Sequence, residues 1–244
     1  MSESRGRMLM EAFTEFYREV ARVRLRAGEG RLASYLDPGH GNGRVNADTL
    51  AAQLRVRLRN RLDLQQREFR RRATADEQAA FETARYVMAA LVDDLLIFEV
   101  DWPGARAWPR YLLEHALFGT AMAGRRLFLL IDDLLERRAH GPHHEDLAAV
   151  FLTALQLGFR GQHRGRAGAR VIDRYRERLL ELLGAEPERL RGAPACPQAY
   201  AHLASQAGER RLAPLGRWYR IGGLALGAYL VVSTLAWLIS VARL

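Results

Sequence analysis

Two groups of side chains have the types and spacing to do chemistry. Asp93 and Asp94 stand side by side in AALVDDLLIF, which is otherwise apolar. Adjacent residues on an α-helix point about 100° apart, so at least one carboxylate must reach the helix's buried side or its edge. A carboxylate placed there needs a charged or hydrogen-bonding partner. Two roles meet that need: an internal ion pair with one of the many arginines, or a pair lining a groove where another protein's basic group docks. The second group is His140, His143, His144, Glu145 and Asp146. Imidazoles and carboxylates are the ligands of a divalent metal, so this cluster supports a metal-dependent enzyme as one reading. The same residues also read as a helix start. Gly141 and Pro142 separate two helices, and Glu145 and Asp146 fall in the first turn of the second, where carboxylates favour the helix dipole. Asp132 and Asp133 in LLIDDLLER read as the solvated face of an amphipathic helix.

No nucleophile or phosphate motif accompanies these groups. HExxH, GxSxG, a P-loop and a GxGxxG after a strand are all missing from the sequence. Cys196 is the sole cysteine and lies in the proline-flanked stretch 185–197. A lone thiol excludes an internal disulfide and a multi-cysteine metal framework. The expectation is a protein that is not an enzyme and holds no cofactor and no metal.

The chain has 244 residues, 49% of them hydrophobic, and a net charge of +9. That apolar fraction is ample for a core. All 37 basic residues are arginine. They form no recognisable nucleic-acid motif, so no nucleic-acid partner is expected. The anionic leaflet of a bilayer is the simplest counterpart for the charge.

The elements that must position these residues read as helical almost throughout. Met8, Ala12, Phe16, Val20 and Val23 make a 3.6-residue stripe over 8–25. A polar glycine-rich loop follows at 37–48. The stretch 54–62, LRVRLRNRL, alternates like a strand, yet Leu50, Leu54, Leu58, Leu62 and Phe69 fit a helical stripe. Its Leu, Arg and Gln content selects a helix over 50–72. Thr74 and Glu77 form a T-x-x-E capping box that opens a helix to about residue 100. Further helices are expected at 108–117, 121–138, 145–157 and 170–183, with a short one at 200–206. The fold class is all-α.

The last long element is IGGLALGAYLVVSTLAWLISV, residues 221–241, which holds no charge and no proline. As a helix it extends roughly 30 Å, one hydrocarbon core. Arg210, Arg211, Arg217 and Arg220 precede it and Arg243 alone follows, so the positive-inside rule places residues 1–184 in the cytoplasm. Arg217, Trp218, Tyr219 and Arg220 suit the headgroup zone. Gly223 and Gly227 form a GxxxG pair able to bring two spans together. The expected organisation is a cytoplasmic helical domain (1–184), a linker and juxtamembrane segment (185–220), a transmembrane helix (221–241) and a periplasmic tail (242–244). With this anchor, the histidine cluster would belong to a tail-anchored metal-dependent enzyme.

Several ordered elements together resemble one family. They are ARYVMAALVDDLLIF, then Trp108, then LLEHALFGTAMAGRRLFLLIDDLL, then EDLAAVFLTALQLGFRGQHRG, completed by the terminal run. Over about 84–183 the chain is similar to the TssL proteins of type VI secretion, whose type IVB relatives are DotU or IcmH. The acidic pair is Asp-Asp where Asp-Glu is usual. His163 stands where a Tyr is expected, and Arg126 and Leu127 precede Phe128 where a second aromatic often sits. The resemblance implies a hook-like pair of small helical bundles with a cleft, anchored by a single pass in the bacterial inner membrane. It implies a non-enzymatic scaffold beside TssM-like and TssJ-like proteins that recruits a TssK-like baseplate protein and forms a homo-oligomer. Asp93 and Asp94 become candidates for the partner cleft, and Trp108, Gly158, Phe159 and Gly161 become architectural. The chain looks like the short form, without a periplasmic domain. A type IVB component is the alternative system.

Overall fold

The computed structural model describes residues 8–39, 46–136 and 143–184. The chain divides into two units, Met1–Pro197 and Gln198–Leu244, and every described residue belongs to the first. The sequence expectations for the 221–241 span, for Gly223 and Gly227, for Arg217, Trp218, Tyr219 and Arg220, and for Cys196 and His140 lie outside the described residues. Among the described residues no helix is long and apolar enough to cross a membrane.

All described elements are helical, with no strand among them. They are α1 (Met8–Gly28), α2 (Leu32–Leu36), α3 (Ala47–Arg72), α4 (Ala75–Phe98), a 3-10 turn (Trp108–Arg110), α5 (Leu113–Phe118), α6 (Ala123–Glu136), α7 (His144–Gln156) and α8 (Arg166–Leu182). The ambiguous stretch 54–62 is therefore helical. Leu50, Leu54, Leu58 and Leu62 are buried, and of the arginines between them Arg59 is exposed while Arg55, Arg57 and Arg61 are half-buried.

Helix α4 is the central element and packs against α1, α3, α5, α6 and α7. Every residue from 84 to 96 is buried. A helix enclosed on all sides needs apolar residues all round, which is why this segment shows no polar stripe. Its start is set locally. Thr74 Oγ1 accepts from the Glu77 amide, and the Glu77 carboxylate accepts from the Thr74 amide. Thr74→Ala is expected to cost about 1 kcal/mol, lowering the thermal midpoint by about 2–4 °C. An unchanged midpoint would show that the cap is redundant with packing.

Polar groups inside the unit are tied across the sequence. Glu19 of α1 accepts from Arg57 Nε of α3 at 2.6 Å and from the Tyr35 hydroxyl of α2 at 2.8 Å. Burial pushes the Glu19 carboxyl up, but these two donors outweigh it and hold it below the usual range. Gln65 Nε2 donates to the Ala12 carbonyl at 3.0 Å, joining α3 to α1. Asp146 holds the N-terminal end of α1 by accepting from the Leu9 amide at 3.0 Å.

Candidate functional site

The two adjacent carboxylates of α4 point into different partners. Asp93 is 4% exposed. It accepts from Trp108 Nε1 at 2.9 Å, from the Leu113 amide at 2.8 Å and from the Glu114 amide at 2.8 Å. One side chain thus closes the first turn of α5 and fixes the indole of Trp108, which is fully buried. Trp102 packs edge-on against Trp108 at 5.7 Å and donates its own Nε1 to the Leu96 carbonyl. The segment 99–112 is held against α4 by these contacts.

Asp94 is 7% exposed and serves the segment after α7. It accepts from the Arg160 amide at 3.0 Å, and Arg164 Nη2 lies 2.7 Å from its Oδ2. The Arg164 guanidinium also stacks at 3.6 Å over the ring of Phe98 and meets Glu99 at 3.3 Å. Asp94 makes an internal ion pair with an arginine, whereas Asp93 accepts from an indole and two amides, so each carboxylate organises one loop. Both loops then lie beside the C-terminal half of α4.

Phe159 is buried against Phe128, ring centroids 5.8 Å apart. Gly158 has φ 111° and Gly161 φ 48°. At Gly161 the backbone is so close to α6 that a Cβ would stand 2.5 Å from the Gly124 carbonyl oxygen. The Gln162 amide donates to that same oxygen at 3.0 Å. His163 fills an aromatic niche, 4.5 Å from Phe128 and 6.4 Å from Tyr175. Arg126 lies over the Tyr86 ring at 4.9 Å.

Sequence reasoning missed Glu114. It is buried and accepts from the Tyr86 hydroxyl at 2.7 Å, Thr120 Oγ1 at 2.7 Å, the Met122 amide at 3.0 Å and the Ala123 amide at 2.9 Å. Burial pushes its carboxyl up, but the four donors prevail and hold it below the usual range. The available signal was an acidic residue inside LLEHALF, the same conflict of charge and apolar surroundings that marks Asp93 and Asp94. Arg164 lies in LGFRGQHRG, far along the chain from its partner Asp94. The residues at 143–146 differ in their surroundings, with Glu145 exposed. His143 is the residue before α7, His144 is buried, and Asp146 holds α1. Among the described residues no three His, Cys, Asp or Glu side chains gather in metal-binding geometry.

Asp93, Asp94 and Asp146 receive backbone amides from segments 20 or more residues away, and Glu114 receives those of Met122 and Ala123, just after its own helix. Such an arrangement fixes loops rigidly. Residues 42–239 match the model of the family described as type VI secretion system protein DotU. The chain belongs to the DotU family. The matched range contains both loops, their carboxylates and most of the 221–241 run, so it covers the elements on which the sequence resemblance rests. No curated protein and no solved structure matches the chain. The DotU family is a structural component of the secretion apparatus.

The buried carboxylates make folding pH-dependent. Burial pushes Asp93 up to about 7, against the three donors that pull it down. Burial likewise pushes Asp146 up to about 6, against the Leu9 and Met10 amides. Both bind a proton more tightly folded than unfolded, where a carboxyl titrates near 4. Their contribution to stability is complete at about pH 4 and is lost as pH rises through about 6 and about 7. Asp146→Asn is therefore expected to flatten the thermal-midpoint curve between about pH 4 and 6. Parallel curves for the two proteins would refute the assignment.

Proposed function

We propose that this chain is an inner-membrane scaffold of a type VI secretion system that recruits baseplate components through a cytoplasmic face. The supporting observation is the family match over 42–239 combined with loops immobilised by Asp93, Asp94 and Glu114. In this reading the run 221–241 crosses the inner membrane once, with the helical unit in the cytoplasm as a hook-like pair of small bundles. Gly223 and Gly227 pack against a second span. TssM-like and TssJ-like proteins are the membrane partners, and a TssK-like protein is the cytoplasmic one.

Asp93 and Asp94 act here as positioning residues. The surface they support includes Phe98, 57% exposed and stacked on Arg164. An exposed aromatic beside an arginine is the composition of an interface anchor. The protein has no catalytic step in this account.

The test is purification of the full chain from native membranes in mild detergent. Co-purification of a TssK-like and a TssM-like protein is the expected result. Recovery of conjugation-type ATPases instead would assign a type IVB machine, and recovery of neither group would overturn the proposal. Genes for a contractile sheath beside this one are expected for the same reason.

A further inference from the structure

Helix α3 carries an outward stripe that the fold does not use. Its core side is Leu54, Leu58, Leu62 and Gln65. Opposite them, at helical spacing, lie Val56, Asn60, Leu64, Arg67 and Arg71. All five are exposed, with Val56 at 51% and Leu64 at 50%. The stripe extends about 22 Å along the helix. On its flank Arg59 pairs with Asp63, whereas Arg67 and Arg71 make no ion pair among the described residues. Glu68 lies about 100° around the helix from Arg67, with Arg72 on the rim of the α1–α3 groove. The stripe itself therefore carries net positive charge together with two large aliphatic side chains.

We infer that this α3 stripe rests on the anionic leaflet of the membrane that holds the chain, an inference that depends on the membrane-anchored reading above. The partner follows from charge and shape. Aliphatic residues interleaved with arginines on one helical face are the pattern of a surface that lies at a headgroup boundary. Arginine near an anionic leaflet gains on the order of fivefold in partition per charge. A second copy of the same face is disfavoured, because an isologous contact would bring Arg67 and Arg71 against their own counterparts. With residues 221–241 in the bilayer, the leaflet is present at high effective concentration, so a weak face suffices.

The test uses the full chain with Cys196, the sole cysteine, changed to Ser and a fluorophore on Asn60→Cys. Proteoliposomes contain nitroxide-labelled lipid as a contact quencher, in zwitterionic lipid alone or with phosphatidylglycerol. Quenching at residue 60 is expected to rise about twofold or more when the anionic lipid is present. High salt should remove the rise, since exposed charges are screened. Arg67→Glu with Arg71→Glu should also remove it, and Arg67→Lys with Arg71→Lys should retain it. A fluorophore on Glu177→Cys, exposed on α8, should show no dependence on anionic lipid. Equal quenching at residues 60 and 177 in both lipids would overturn the inference while leaving the membrane reading intact. A chain that floats with neither vesicle would overturn both. If soluble heparin in zwitterionic vesicles reproduced the fluorescence change, the face would be a general polyanion site and the leaflet assignment would be wrong.

Discussion

Asp93→Ala lowers the thermal midpoint of the full chain by about 6–20 °C. The substitution removes one acceptor and strands three buried donors: Trp108 Nε1 and the amides of Leu113 and Glu114. A buried donor left without a partner costs about 1–3 kcal/mol, and the three share one site, so about 3–5 kcal/mol in total is expected. For a domain of this size each kcal/mol moves the midpoint by about 2–4 °C. Asp93→Asn should fall between, because its carbonyl oxygen still accepts while its amide nitrogen faces a donor. The loss should also be local at first. Hydrogen exchange at Leu113 and Glu114 should quicken at temperatures where α1 and α3 remain protected. A midpoint within about 2 °C of the wild type would mean that Asp93 does not hold this segment.

Gly161→Ala produces the second large effect, by a different route. The residue sits at φ 48°, in the left-handed region where an L side chain is strained. The added methyl would stand 2.5 Å from the Gly124 carbonyl oxygen and 2.8 Å from its Cα. Neither is the end of a flexible side chain, so the loop itself must move. Together the strain and the clash cost about 2–4 kcal/mol. The Gln162 amide, which donates to Gly124, should lose its exchange protection. The Asp94–Arg164 contact sits three residues further on and should loosen with it. Partner recruitment should fall even below the melting temperature, because the loop surface is displaced in a chain that remains folded. Retained protection at Gln162 would show that the loop tolerates a side chain there.

Sequence reasoning reached the helices whose signals are local. The T-x-x-E box marked the start of α4, and the leucines at 50, 54, 58 and 62 outvoted the alternation of 54–62 because they lie on the buried side of the helix while none of the arginines between them is buried. Helix α2 escaped notice because its five residues are too short to display a period. The segment 108–117 was read as one helix but is a 3-10 turn followed by α5. The break is imposed from outside: Asp93 takes the Leu113 and Glu114 amides and so sets where α5 begins. No pattern within 108–117 encodes that. The charge conflict at Asp93 and Asp94 was legible, whereas their partners were not. Trp108 is 15 residues away and Arg160 is 66, distances over which a single sequence carries no pairing signal.

The central claim is that the loops held by Asp93 and Asp94 form a recruitment surface of a type VI secretion scaffold. The direct measurement is site-specific photo-crosslinking in living cells. A photoreactive residue replaces Phe98, beside Arg164, and in a parallel strain replaces Glu177 on α8. The account predicts a crosslink to a TssK-like baseplate protein from position 98, absent from position 177 and lost when Gly161→Ala is added. Equal crosslinking from both positions, or none from position 98 in a strain whose secretion system is assembled, would contradict it.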